Sequence, residues 1–279
     1  MEDVRRYSVL MSVYGKEKAE HLRASMESIR TQTVPPDDFV LVCDGPLGED
    51  LEHVIHQMQE TFGNTLRVIL LKENGGLGNA LNVGMRYCKN ELIARMDSDD
   101  ISYPDRCERQ LAVFRDRPET AIVSGTVEEF STDPSQIDTC RVLPETQDEI
   151  LKFVKKRNPF NHPCVMYRKS AVLAAGGYQD FYLLEDYYLW IRMLYAGYQG
   201  YNLQEPLLWM RAGSHMYQRR SGWKYARSQI ELFRYMRSIG MIGYYDFLKA
   251  SLMRMVVSMV PNGVRKNLFE NILRKKGRD

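Results

Sequence analysis

Short apolar runs and helically spaced apolar stripes take turns along the first 116 residues. Tyr7–Val13, Phe39–Cys43, Leu66–Leu71 and Glu91–Met96 are compact, largely apolar runs that read as buried strands. Between them, Leu22, Met26 and Ile29 recur at helical spacing within 17–31, as do Leu51, Val54, Ile55, Met58 and Phe62 within 50–62. Leu77, Ala80, Leu81, Gly84, Met85 and Cys88 form a third such stripe. This is the period of a helix that buries one face. A fourth helix is expected over Pro104–Phe114, with proline suited to the first turn. The alternation predicts an α/β fold: a Rossmann-like, three-layer α/β/α arrangement around a mostly parallel sheet.

After Pro118 the pattern becomes mixed. Ala121–Phe130 and Cys140–Leu143 read as strands, Gln147–Lys156 as a helix and Cys164–Tyr167 as a short buried strand. Asp186–Ala196 is expected to be helical, with Leu189, Trp190, Met193 and Leu194 on its core face. From about Tyr217 the chain reads as a helical C-terminal extension. Tyr244, Leu248, Leu252, Met255, Val256 and Met259 make a broad apolar stripe, broken by Pro261-Asn262-Gly263. A second helix is expected beyond, carrying Val264, Leu268 and Ile272 beside Arg265, Lys266, Arg274, Lys275 and Lys276. The expected division is one α/β domain over 1–215, in parts 1–116 and 117–215, followed by the extension 216–279.

Charge sharpens this division. Residues 205–279 hold 15 Lys/Arg against 5 Asp/Glu, whereas residues 1–204 hold 23 against 31. A C-terminal excess of +10 points to an anionic partner for the extension. No nucleic-acid-binding motif accompanies it, so an anionic membrane surface is expected and nucleic acid is not. No apolar stretch is long enough to span a bilayer, and no apolar segment follows the N-terminal charges as in a secretory signal. The five cysteines, at 43, 88, 107, 140 and 164, are odd in number and lack the C-x-x-C spacing of zinc sites. They suit reduced, mostly buried thiols in a cytoplasmic protein.

The chemistry gathers at strand ends. Arg95-Met96-Asp97-Ser98-Asp99-Asp100 places three carboxylates within four residues, directly after a strand. They repel one another unless a cation or donors compensate them, and their hard oxygens suit Mg²⁺ or Mn²⁺. A solvated turn is the plainer alternative. Tyr14, Asp44 and Asn74 also follow strands, where open α/β sheets bind ligands. Asn74-Gly75-Gly76-Leu77-Gly78-Asn79-Ala80-Leu81 is glycine-rich and joins a strand to a helix. Its amides could approach a diphosphate, or its glycines could serve only close packing. The third glycine of a dinucleotide fingerprint is replaced by Leu81, which argues against an NAD-type enzyme. Glu185-Asp186 opens a helix, where acids stabilise the dipole or one serves as a general base. Gly176-Gly177-Tyr178 offers a flexible approach to it. His162, set between prolines 159 and 163, reads as structural, as a lining of an acceptor pocket, or as orienting the carboxylate. The segment 211–220, with His215, Arg219 and Arg220, is either plain surface or a loop that closes over a diphosphate.

Taken in order, the segments Ser8–Tyr14, Val42–Pro46, Glu73–Asn82, Ala94–Asp100 and Glu185–Trp190 resemble the family 2 glycosyltransferases of the GT-A fold. The similarity runs from about Tyr7 to Arg220 and points to bacterial enzymes that build O-antigen, capsule or exopolysaccharide. It implies a UDP-sugar donor, galactose or glucose, bound by Val13, Tyr14, Asp44, Asn74, Gly75, Asn79, Asp97, Ser98 and Asp99. Asp44 would contact the uracil ring, and Asp97 and Asp99 would face the ribose and a Mn²⁺- or Mg²⁺-bound diphosphate. Asp186 would be the catalytic base of an inverting transfer, with Glu185, His162, Trp190, His215 and Arg219 on the acceptor or loop side. Position 15 is glycine where many relatives have asparagine, so it offers no side chain. The Q-x-x-R-W motif of processive polymerases is missing, which implies single-sugar transfer. The implied acceptor is a saccharide, lipid-linked or soluble, met by a cytoplasmic enzyme resting on the inner face of the cell membrane. A nucleotidyltransferase would need a basic loop after its first strand, and Ser12-Val13-Tyr14-Gly15-Lys16 is a poor one. A non-catalytic relative would not need both acidic motifs.

Overall fold

The computed structural model describes residues 6–212, 222–259 and 275–276. The four expected N-terminal strands form: β1 (Tyr7–Val13), β2 (Asp38–Cys43), β3 (Leu66–Leu70) and β4 (Leu92–Asp97). They lie parallel in the order β4-β1-β2-β3, so all four end at one edge. The helices between them are α1 (Ala19–Arg30), α2 (Glu49–Phe62) and α3 (Leu77–Tyr87). Their apolar stripes are buried as the spacing requires: Leu22, Met26 and Ile29 have no exposure, nor do Ala80, Leu81 and Met85. Gly84 lets α3 approach the sheet, since a Cβ there would lie 2.4 Å from Leu10 Cδ1 and 2.6 Å from Val42 Cγ2.

Beyond a short β5 (Ile101–Ser102), α4 spans Arg106–Asp116, two residues later than expected at its start. The sheet then becomes mixed. It continues through β6 (Thr120–Phe130), β7 (Thr139–Arg141) and β8 (Met166–Arg168), with β8 inserted antiparallel between β4 and β6. Helices α5 (Gln147–Phe153), α6 (Lys169–Ala174) and α7 (Glu185–Tyr195) pack around it, and α5 ends three residues short of the expected Lys156. The largest departure is β9 (Gln199–Arg211), a 13-residue strand running parallel to β6. Pro206 breaks its pattern and lacks a ladder donor. A register shift beside Thr126, which pairs with Pro206, absorbs the defect.

Two apolar clusters fill the layers on either side of the sheet. Helix α8 (Trp223–Ser238) joins the second of them, burying Leu232, Phe233 and Met236. Helix α9 (Tyr244–Met259) lies beside α8 and leaves Tyr245, Leu248, Leu252 and Met253 exposed. The expected final helix lies outside the described residues, except that Lys275–Lys276 pair as a strand, β10, with Thr139–Cys140 of β7. All five cysteines are unpaired and four are buried. No helix among the described residues is long and apolar enough to cross a membrane.

Candidate active site

The parallel strands bring Val13, Asp44 and Asp97 to one edge, with β1 between β2 and β4 in register Val13↔Cys43 and Ser12↔Asp97. Asp97 ends β4, and its backbone carbonyl accepts from Ser25 Oγ of α1 at 2.8 Å. One oxygen each from Asp97, Asp99 and Asp100 lies within 4.8 Å of the others. Burial raises the Asp99 carboxyl to about 7, with the charges of Asp97 and Glu17 adding to it. Asp100, 2% exposed, is pushed well above the ordinary range by burial and then by Asp99 and Asp97. Its Oδ1 accepts the Arg211 amide at 2.8 Å, while its buried Oδ2 has no hydrogen-bond partner. An all-carboxylate donor set with an orphaned oxygen fits a hard divalent cation, which would relieve this repulsion.

Two residues that sequence reasoning left without a role complete the cluster. Arg95 is fully buried behind it, and its guanidinium donates to Asp97. Burial opposes its charge, but Asp97, Tyr178 and Asp100 outweigh that and keep it protonated. Glu17 closes the other side, accepting from Ser98 Oγ at 3.2 Å. Arg95 stood inside the acidic run, so its proximity was legible. The contact of Glu17, 81 positions from Ser98, was not.

The glycine-rich turn is held from β2. Asp44 accepts the Gly75 amide at 2.8 Å and the Gly76 amide at 3.0 Å, one on each oxygen. Asn74 Nδ2 donates to the Asp44 carbonyl at 3.1 Å. Asp44 therefore shapes the turn, while Asn74, Gly75 and Asn79 stay exposed at the mouth of the crevice. Tyr14 is 39% exposed there. The bare glycine at 15 has a local reason, since a Cβ would lie 2.9 Å from the Pro46 carbonyl oxygen.

Glu185 and Asp186 open α7, and α3 reaches them: a Cβ on Gly78 would stand 3.9 Å from Glu185 Cβ. Glu185 is raised to about 7 by burial and then by the Asp186 charge. Asp186 Oδ2 accepts from Asn158 Nδ2 at 2.7 Å. His162 does not take that place in the hydrogen-bond pattern; it is buried and its Nε2 pairs with Tyr178 Oη at 2.9 Å. Burial, aided by the Arg95 charge, lowers its pKa well below the ordinary histidine value, so it is neutral at physiological pH. Trp190 is fully buried against Phe160, His162 and Tyr167, so it packs the root of α7 and offers no surface to an acceptor. The Gly176-Gly177-Tyr178 approach, expected to be flexible, is pinned. Arg192 donates to the carbonyls of Ala175 and Gly177, and Asn82 grips Tyr178. His215 and Arg219 lie outside the described residues.

The acidic strand end and the glycine-rich turn both lie within a stretch that matches a known family. The model of glycosyl transferase family 2 matches residues 8–174. The chain belongs to that family. An uncharacterized glycosyltransferase of Haemophilus influenzae is 40% identical over 97% of this chain and all of its own. The amylovoran biosynthesis glycosyltransferase AmsE of Erwinia amylovora is 38% identical over 95% of this chain and 98% of its own. An Escherichia coli UDP-Gal:α-D-GlcNAc-diphosphoundecaprenol β-1,3-galactosyltransferase is 34% identical over 98% of each chain. The family 2 chain is a glycosyltransferase. Its fold is that of TarS from S. aureus (residues 1–349), with a TM-score of 0.65 at 14% identity over 95% of this chain and 74% of that one. The mannosyltransferase PcManGT of Pyrobaculum calidifontis, solved with GDP-Man and Mn²⁺, gives a TM-score of 0.63 at 12% identity over 96% and 80%.

Proposed function

We propose that this glycosyltransferase moves one hexose, galactose or glucose, from a UDP-sugar to a lipid-diphosphate-linked saccharide during assembly of a bacterial surface polysaccharide. The observation that carries the reading is the approach of Gly78, on the first turn of the glycine-led helix, to Glu185 beside Asp186. It brings a donor-side element against a pair of carboxylates suited to proton removal. The relative named for UDP-Gal and a GlcNAc-diphosphoundecaprenol supports the donor and acceptor classes. Residues 1–215 would carry the reaction.

In this reading the exposed Asn74, Gly75 and Asn79 border the nucleotide, with Tyr14 beside them. Asp44 acts on the donor by holding that turn in shape. Asp97 and Asp99, with Asp100 behind them, would hold Mn²⁺ or Mg²⁺, which supplies Lewis-acid stabilisation of the departing UDP. Asp186 accepts the proton of an acceptor hydroxyl, whose oxygen forms the new bond to the anomeric carbon as the bond to UDP breaks. One displacement inverts the anomeric centre, so an α-linked donor gives a β-linked product. Arg95 keeps Asp97 in place from within the core.

The extension supplies a membrane contact. Helix α8 is tied to the core, and the outer side of α9 presents Tyr245, Leu248, Leu252 and Met253, which are 76, 46, 65 and 55% exposed. An apolar helix face within a segment of net charge +10 suits an anionic bilayer surface, where a lipid-linked acceptor would reside.

The test is a panel of nucleotide-sugars with Mn²⁺, scored by thermal shift and UDP release. One UDP-hexose at about 100 times its dissociation constant should stabilise the fold by about 2.7 kcal/mol. Asp186→Asn should still bind UDP but lose transfer by about 10² or more. A shift with a non-uridine sugar nucleotide alone, or release of inorganic diphosphate, would overturn the donor assignment.

A further inference from the structure

The segment that delivers Glu185 and Asp186 is built to be held rather than to move. It begins with Gly176 and Gly177, at φ +86° and +64°, and ends with Leu183, a non-glycine residue at φ +58°. Such a conformation persists only where surrounding contacts over-determine it. The contacts that hold the start of the segment converge on Tyr178. Its amide donates to Asn82 Oδ1 at 2.9 Å, and its carbonyl accepts from Asn82 Nδ2 at 2.6 Å. One side-chain amide thus mimics the pairing of a neighbouring strand and holds the Tyr178 backbone through both its N–H and its C=O. The buried Tyr178 ring is anchored at its far end by His162.

Asn82 stands one helical turn after Gly78 on α3, so both lie on the same face. Gly78 leaves room for Tyr178 and Glu185, and Asn82 binds the backbone that leads to them. A Cβ on Gly177 would come within 2.8 Å of Asn82 Oδ1, so the fit is close from both sides. The N-terminus of α3 is the glycine-rich turn that Asp44 shapes. A single rigid helix therefore runs from the donor side to the loop that aims the carboxylates.

We propose that Asn82 is a positioning residue that registers the Asp186 carboxylate against the donor through the Tyr178 backbone. The inference rests on the reading of Asp186 as the base. Asn82 touches neither donor nor acceptor and acts only through the loop. Aspartate at 82 would keep the acceptor for the Tyr178 amide but turn a carboxylate against its carbonyl, and leucine would offer neither.

The experiment uses the full-length protein with Mn²⁺ and the UDP-hexose identified by the panel. Asn82→Ala should lower kcat about tenfold or more, because small misplacement of a reacting group is costly, while the donor KM stays within about twofold. Asn82→Ser, which can keep one bond to Tyr178, should fall between. The decisive readout is a cycle with Asp186→Asn: once the base is removed, Asn82→Ala should cost no further activity. Full additivity, or an unchanged kcat in Asn82→Ala, overturns the proposal. If the alanine variant fails to fold, the serine variant carries the same cycle, and wild-type kcat in it is equally decisive. Full activity of Asp186→Asn alone would instead reject the base assignment, a different result.

Discussion

Asn158 donates its side-chain amide to Asp186 at 2.7 Å, joining a loop before the His162 turn to the first turn of α7. The bond occupies one carboxylate oxygen and sets the plane of the group. The other oxygen, Oδ1, accepts the Tyr187 amide at 2.7 Å. The carboxylate is thereby oriented before any acceptor arrives, as a general base must be.

Losing that orientation should cost turnover. A hydrogen bond to a charged group is worth about 1.5–3 kcal/mol, so Asn158→Ala should reduce kcat by about tenfold or more with little change in donor affinity. Steady-state kinetics with varied UDP-sugar checks this. Equal kcat in the variant would mean that other contacts orient Asp186.

Glu185 makes stability depend on pH. Its folded pKa of about 7 stands above the ordinary carboxyl value, through burial and the neighbouring Asp186. The folded chain therefore holds a proton that the unfolded chain has released, and stability falls as pH rises from the ordinary glutamate range through about 7. Glu185→Gln should melt higher than the wild type at pH 8, and the gain should vanish near pH 4, where both forms of the side chain are neutral. Melting curves in chelator at the two pH values test the sign. A gain that is equal at both would show that its charge is not responsible.

The Asp97–Asp99–Asp100 cluster should be stabilised by a divalent cation and, without one, by the removal of one of its acids. Asp99→Asn removes one of three mutually repelling acids, so it should raise the melting temperature in chelator. The same variant should lose most of the stabilisation that Mn²⁺ gives the wild type, since mass action requires binding to the folded state. Differential scanning calorimetry with and without Mn²⁺ reads both effects. Wild-type behaviour in the two conditions would place the cation elsewhere.

The exposed side of α9 predicts a lipid phenotype separable from catalysis. Leu248 and Leu252 are spaced one helical turn apart and are both outward-facing. A Leu248→Glu/Leu252→Glu variant should sediment poorly with anionic liposomes, as should a chain lacking residues 243–279. UDP-sugar binding should survive the double substitution. Equal sedimentation of wild type and variants would sink the membrane contact.

Much of the first half was legible because its forces are local. Strands β1 to β4 are largely apolar runs, and the intervening stripes repeat at the helical period, so each segment announces its partner layer. Parallel strands then bring Val13, Asp44 and Asp97 to one edge whatever the details of the loops. The acidic run and the Glu-Asp pair were likewise visible as composition. Strand β9 was not, because Pro206 interrupts its pattern and its pairing depends on a register shift in β6.

What the sequence by itself determined is the order of layers, the edge where ligands gather and the residue types available there. What only the tertiary structure decided is how those residues are aimed. Asn82 meets Tyr178 across 96 positions, Ser98 meets Glu17 across 81, and Asn158 meets Asp186 across 28. Each link rests on at least one polar side chain with no periodicity to betray it. The partnership exists only once packing has removed the competing water. Trp190, placed on the core face of its helix by spacing and on the acceptor side by resemblance, and His162, for which a structural role was one of three readings, are both enclosed by the fold. Periodicity reports which face of an element is dry; which polar group finds which depends on contacts that only the folded chain makes.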